Sequence, residues 1–233
     1  MDNSILSESI SASSEQITMQ ERLAILLAFV AGFVDAMGII KWKTYVSFMS
    51  GNTTQLGTAI YADRPGVISI SVKVIGCFLL GIYAGTCLSL RKRLSIQTLP
   101  FMMVAGLLIL YTIASYYFNI ATILSIAIIG FSIGMMNTIV TAIGNQKVNT
   151  DFVTGTLNSL ARNTAMLSMA IDKTERKAYK ANVIHLLLVW MGFLSGAAAT
   201  PFALLFLVTW ILAFPALLLM MCALLISVLN FKP

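Results

Sequence analysis

Gly32-Phe33-Val34-Asp35-Ala36, followed by Phe48-Met49-Ser50-Gly51-Asn52-Thr53-Thr54-Gln55-Leu56-Gly57, returns in altered form later in the chain. The second copy reads Gly134-Met135-Met136-Asn137-Thr138, then Phe152-Val153-Thr154-Gly155-Thr156-Leu157-Asn158-Ser159-Leu160-Ala161. A third pair lies in the same order: Gly81-Ile82-Tyr83-Ala84-Gly85 aligns with Gly192-Phe193-Leu194-Ser195-Gly196. One such match is chance; three in sequence indicate an internal duplication.

The solvent for this duplication follows from composition. Of the 233 residues, 58% are hydrophobic and 10% are charged, and the mean hydropathy is +0.89. A soluble domain carries about 25% charged residues. These values exclude a soluble enzyme, a disordered regulator and a coiled coil, and leave the lipid bilayer. A spanning helix needs about 20 apolar residues, and six fit: about Arg22–Ile40, Val67–Leu90, Pro100–Phe118, Ala121–Ile143, and two within Ala181–Phe231. The last hairpin should turn between Thr200-Pro201 and Thr209, with Pro215 as a kink in the sixth span. Two polar segments interrupt the pattern, Lys41–Tyr61 and Gly144–Lys180. Residues 1–18 are Ser-rich, carry Asp2, Glu8 and Glu15 and lack Lys and Arg, so they read as a disordered cytoplasmic tail rather than a secretory signal.

Charge sets the orientation. Eleven of the 15 basic residues fall on one side of a six-span chain and three (Lys41, Lys43, Arg64) on the other; Lys73 lies within a span. The positive-inside bias then puts both termini in the cytoplasm. The same bias accounts for the net charge of +6 without nucleic acid, for which the chain has no motif. Cys77, Cys87 and Cys222 are widely spaced in apolar stretches, and His185 is the single histidine, so neither a disulfide framework nor a metal cluster is expected. No cofactor is implied.

The expected fold is an all-α membrane protein of about six transmembrane helices, built as a first three-span repeat over 19–118 and a second over 119–233. An odd number of spans per repeat turns the second upside down relative to the first, the inverted topology of many secondary transporters. Interrupted helices beside a cavity are the usual irregularity in such folds. The segments Ser50-Gly51-Asn52-Thr53 and Thr154-Gly155-Thr156 suit that role: Ser50 or Thr154 would cap a short helix whose N–H groups face a solute. They suit equally two amphipathic helices that merely connect spans.

Asp35 sits at bilayer depth or at the outer end of the first span. A carboxylate at depth costs about 3 kcal/mol or more, which points to a cavity and proton coupling. Near the interface it would be hydrated or cap the next helix. Lys73 either pairs with Asp35 or snorkels to the interface. Asn137 holds the place of Asp35 in the second repeat; Arg162 is an anion or lipid-headgroup ligand or a plain cytoplasmic cation; His185 is a titrating group or a satisfied interfacial one. The G-x-x-x-G pairs Gly81/Gly85, Gly130/Gly134 and Gly192/Gly196 allow close helix packing within the bundle or in a homodimer.

Ala31-Gly32-Phe33-Val34-Asp35-Ala36 with Met49-Ser50-Gly51-Asn52-Thr53 and Leu56-Gly57, together with Phe152-Val153-Thr154-Gly155-Thr156-Leu157 and Leu160-Ala161-Arg162, resembles the YoaK-like bacterial membrane proteins. The likeness extends over about residues 20–230. It implies a bacterial inner membrane location and no assigned substrate; that family commonly has Thr where this chain has Ser50. The function expected is a permease for a small polar or ionic solute. A channel of the same architecture and a non-transporting scaffold are the alternatives; an enzyme is not expected, for lack of a nucleophile, base or metal constellation.

Overall fold

A computed structural model describes residues 3–90, 98–139, 142–143, 146–147 and 153–228, with backbone alone for 3–17, 142–143, 146–147 and 228. The basic cluster Arg91-Lys92-Arg93, together with Asp151, Phe152 and Lys232, lies outside the described residues. Eight α-helices follow one another among those described: α1 Asn3–Trp42, α2 Met49–Tyr61, α3 Pro65–Leu90, α4 Leu99–Tyr117, α5 Thr122–Met136, α6 Val153–Met169, α7 Lys173–Leu207 and α8 Ala213–Val228. A 3-10 turn, Val208–Trp210, joins α7 to α8, and two-residue strands β1 Ala142–Ile143 and β2 Gln146–Lys147 pair antiparallel.

Four helical stretches are long and apolar enough to cross a membrane: Thr18–Trp42, Pro65–Leu90, Leu99–Tyr117 and Lys173–Trp210. Two shorter apolar helices, Thr122–Met136 and Ala213–Ser227, complete a set of six among the described residues. Large apolar side chains such as Leu79, Leu110, Leu194, Phe206 and Leu224 are exposed on the bundle surface. Patches of that extent are stable only against lipid or protein.

Several boundaries differ from the sequence reading. The Ser-rich leader, expected as a disordered tail, has helical backbone continuous with the first span from Asn3 onward. The fourth apolar helix ends at Met136, earlier than the hydropathy pattern suggests, because Asn137 closes it as C-cap. Helix α7 passes through Pro201, and the turn comes at Val208–Trp210. Pro201 lacks an N–H and so leaves the carbonyl one turn back without its helical donor. Pro215 is no kink; it lies in the first turn of α8, where a missing N–H costs nothing.

Helix α1 packs along α7, and α3 along α5. The short helix α2 lies on α3, and α6 lies on α7; α4 meets α8. Ala24, Leu27, Ala28, Val30, Ala31, Phe33, Val34 and Met37 are all buried, so α1 is enclosed on most sides. An apolar helix covered all round by protein belongs to a bundle centre. Helix α5 is enclosed in the same way by way of Ile126, Ile129, Ile133, Met135 and Met136.

Glycine sets the spacing of both central seams. A Cβ on Gly196 would strike the Phe29 carbonyl, and one on Gly32 the Phe193 carbonyl; these two contacts close α1 on α7. A Cβ on Gly81 would strike the Phe131 carbonyl, and one on Gly134 the Phe78 carbonyl; these close α3 on α5. Gly192 and Gly130 face Ile25 and Val74 in the same seams, and Gly85 faces Thr138. All three G-x-x-x-G pairs are therefore occupied within the chain and offer no face for a homodimer.

Candidate functional site

Thr44, Val46 and Ser47 of the connector between α1 and α2 are buried, and backbone groups there need partners that water cannot supply. Asp35 provides them. Its Oδ1 accepts the N–H of Val46 at 2.8 Å and of Ser47 at 2.9 Å, and the residue is 5% exposed. Asn52, fully buried on the first turn of α2, completes the clasp: its Nδ2 donates to the Tyr45 carbonyl at 2.9 Å, and its Oδ1 accepts the Thr44 hydroxyl at 3.2 Å. Lys43 takes φ 56, which reverses the chain there. Gly51 leaves room for the rings of Phe48 and Tyr45, which stack edge to face with centroids 5.1 Å apart.

Ser50 does not cap α2. It is exposed within the first turn, the N-cap position is Phe48, and the Thr54 hydroxyl returns to the Ser50 carbonyl. Thr53 is exposed and bonds back to the Met49 carbonyl. Lys73 and Asp35 do not pair: Lys73 Nζ donates to Ser69 Oγ at 2.9 Å on the exposed face of α3, as a snorkelling lysine does.

The second polar helix turns its inward face to α7. Thr156 and Asn163 are buried, while Thr154 and Arg162 are exposed and Gly155 is partly buried. Asn163 Oδ1 accepts from Asn182 Nδ2 at 3.2 Å, and its Nδ2 donates to the Ser159 carbonyl. One turn beyond Asn182, His185 is buried with neither ring nitrogen hydrogen-bonded among the described residues. Asn137 is partly buried at the end of α5, where its N–H bonds the Ile133 carbonyl. Helix α7 starts on a side-chain cap: Asp172 Oδ2 accepts the N–H groups of Thr174 and Glu175. The Glu175 N–H, followed by that of Thr174, holds this carboxyl below the usual carboxylate range.

Among the described residues, Asp35 and Asn52 thus bond the α1–α2 connector, and Asn163 bonds Asn182 of α7. A cavity of about 390 Å³ lies elsewhere, where the ends of α1 and α4, the turn before α5 and the α7–α8 turn meet. Lys41 and Trp42, Tyr111 and Tyr116, Asn119, and Thr209 are among its walls. Lys41 Nζ donates to the Val208 carbonyl at 3.2 Å, and Tyr111 Oη to Ser125 Oγ at 2.9 Å. Residue-type spacing does not reveal this cavity. The signal available was the gathering of Trp42, Tyr116, Tyr117, Phe118 and Trp210 at span ends, the pattern of an interfacial aromatic belt.

Residues 23–225 match the profile of a family described as protein of unknown function (DUF1275). The chain belongs to the DUF1275 family. A curated relative, the UPF0700 transmembrane protein of Rhizobium meliloti (strain 1021), is 28% identical over 175 residues, covering 75% of this chain and 72% of the relative. No solved structure matches. The DUF1275 match and the transmembrane relative make this a member of an uncharacterised membrane protein family, in agreement with its apolar helices.

Proposed function

We propose that this DUF1275 protein is a small secondary transporter of the bacterial inner membrane, made of two three-span repeats of opposite orientation with both termini in the cytoplasm. Its solute would be small and polar or ionic. The observation that carries this reading is an exchange relation among the helices. Replacing α1–α4 by α5–α8 and the reverse turns the α1–α7 contact into the α5–α3 contact, and α2–α3 into α6–α7. The α4–α8 contact maps onto itself.

The relation extends to single residues. Phe29 and Gly32 correspond to Phe131 and Gly134, and Phe78 and Gly81 to Phe193 and Gly196. Phe29 meets Gly196 as Phe131 meets Gly81; Gly32 meets Phe193 as Gly134 meets Phe78. The match of Gly81-Gly85 with Gly192-Gly196 is one helical turn out of this register, and Phe78-Leu79 with Phe193-Leu194 is the better anchor. The buried pair Asn52 and Ala59 on α2 likewise answers to Thr156 and Asn163 on α6.

Helix direction supports six crossings. Along the α1–α7 seam, Ile25 meets Gly192, Phe29 meets Gly196 and Phe33 meets Thr200, so the two helices run parallel. Between them lie α3, α4 and α5. With the long α3 and α4 both crossing, parallel α1 and α7 require the short α5 to cross as well. Such a framework suits alternating access, in which one repeat rocks against the other.

A scaffold reading has one observation in its favour: Asp35 and Asn52 spend their hydrogen bonds on the adjacent connector rather than on a cavity. We accordingly assign Asp35 to holding α2 in place, not to proton coupling. Proteoliposomes screened on a solid-supported membrane with small amino acids, carboxylates and inorganic ions separate the readings. The transporter reading expects saturable, solute-dependent charge movement or uptake; a conductance without saturation indicates a channel; neither response to any of these solutes leaves the scaffold. No enzymatic activity is expected.

A further inference from the structure

We infer that the cavity between the ends of α1, α4 and α7 is a binding site for an amphipathic anion, a carboxylate or phosphate head on an apolar body. Its volume, about 390 Å³, lies in the ordinary range of small-molecule sites. Lys41 is the one formally charged residue among its walls, and no carboxylate opposes it. The Val208 carbonyl engages one of the three ammonium donors, and no other hydrogen bond by Lys41 is formed among the described residues. That bond fixes the ammonium at the cavity wall and leaves donors for an anion.

The rest of the wall fits an apolar body with polar contacts near the head. Trp42, Tyr111 and Tyr116 are aromatic residues of its lining, and Asn119 and Thr209 are neutral polar ones. Tyr116 also packs on Trp210 at 5.6 Å between centroids, and Tyr111 is tied to Ser125 across α4 and α5, so this aromatic wall is held in place. Val208, beside the cavity, is held at φ 40, a conformation unfavourable for a β-branched residue. Strained backbone of this kind collects at ligand clamps and switches. The anion's source is either a diffusible organic acid or a lipid headgroup; both present the same chemistry to Lys41.

The test uses the full-length protein in phosphatidylcholine nanodiscs, with tryptophan fluorescence and calorimetry as readouts. Benzoate and hexanoate are the probes, and benzyltrimethylammonium is the size-matched cation. Saturable binding of at least one acid is expected. Its Kd should rise tenfold or more in Lys41→Gln, stay within threefold in Lys41→Arg, and be unchanged in Lys43→Gln. Tyr116→Leu, which keeps the ammonium, should weaken binding several-fold, and the melting temperature of each variant checks folding. Competition by phosphatidylglycerol added to the nanodiscs supports the site and assigns it to a lipid headgroup; persistence of acid binding supports a diffusible anion. Absence of saturable acid binding, equal affinity in Lys41→Gln, or preference for the cation overturns the proposal. Because binding is read without transport, these results are independent of the secondary-transport proposal.

Discussion

The two helix seams and the two polar connectors repeat to different degrees. In the seams the halves agree residue by residue: phenylalanine carbonyls at Phe29 and Phe131 lie against Gly196 and Gly81, and those at Phe193 and Phe78 against Gly32 and Gly134. At the connectors they part. Helix α1 continues past Asp35 to Trp42, whereas α5 stops at Met136 with Asn137 as its cap. Asp35 and Asn52 clasp the chain that enters α2, while on α6 the buried Asn163 reaches across to Asn182 of α7. On the proposed duplication, packing has kept its pattern and polar chemistry has not. The shared parts build the bundle, and what is particular to this protein is to be sought where the halves differ.

The largest effects should come from breaking a seam. Gly196→Leu and Gly81→Leu each drive a side chain into a backbone carbonyl of the opposing helix. Both should cost about 3 kcal/mol or more, near the upper end of overpacking costs, and be lost as aggregate on size-exclusion chromatography. Gly106→Ala, where a Cβ meets nothing within 4 Å, should instead gain about 0.5–1 kcal/mol. Similar losses in the two seams would sharpen the equivalence; loss in one alone would break it.

Next comes the contrast between connectors. Asp35→Ala leaves the buried N–H groups of Val46 and Ser47 without an acceptor. It should lower stability in a sodium dodecyl sulfate titration by about 2–6 kcal/mol, at about 1–3 kcal/mol per orphaned group. Asn163→Ala removes a partner from one inter-helix bond and should cost about 1 kcal/mol. Equal losses would mean that the two polar helices are anchored alike.

Thr200→Val tests a difference inside the seams. Thr200 Oγ1 donates to the Phe33 carbonyl across α1–α7, whereas the matching position in α3 is Gly85. Loss of that bond should cost about 1 kcal/mol by the same titration.

The smallest effect is a pH dependence at the start of α7. The Asp172 carboxylate is bonded in the folded state and its pKa is lowered there. Its contribution is full above the ordinary aspartate value of about 3.9 and is lost as pH falls through the lower folded value. Amide exchange at Thr174 and Glu175, corrected for intrinsic rates, should speed up only in that acid range, and Asp172→Asn should flatten the dependence.

Much of the fold was legible before any coordinates. Hydropathy and turn residues locate the six apolar helices, and the Phe48–Gly57 and Phe152–Ala161 motifs mark α2 and α6. The register of the α3 and α7 match was not legible, since G-x-x-x-G spacing fits one turn away as well as in place. Only the carbonyl facing each glycine decides it. Nor could the sequence say what Asp35 touches. Its partners are backbone groups of Val46 and Ser47, which leave no side-chain signature, and a boundary uncertain by one turn separates bilayer depth from the interface. Ser before a helical run is a cap signal, which points to Ser50, yet the N-cap of α2 lies two residues earlier, at Phe48.

Opposite orientation of the halves is the central claim, and membrane-impermeant maleimide labelling tests it directly. In a background with Cys77, Cys87 and Cys222 replaced by Ser, single substitutions Asp63→Cys and Ile171→Cys put thiols at the exposed ends of α2 and α6. In intact spheroplasts Asp63→Cys should label at once, and Ile171→Cys only after permeabilisation. Labelling of both from the same side would contradict the inverted arrangement.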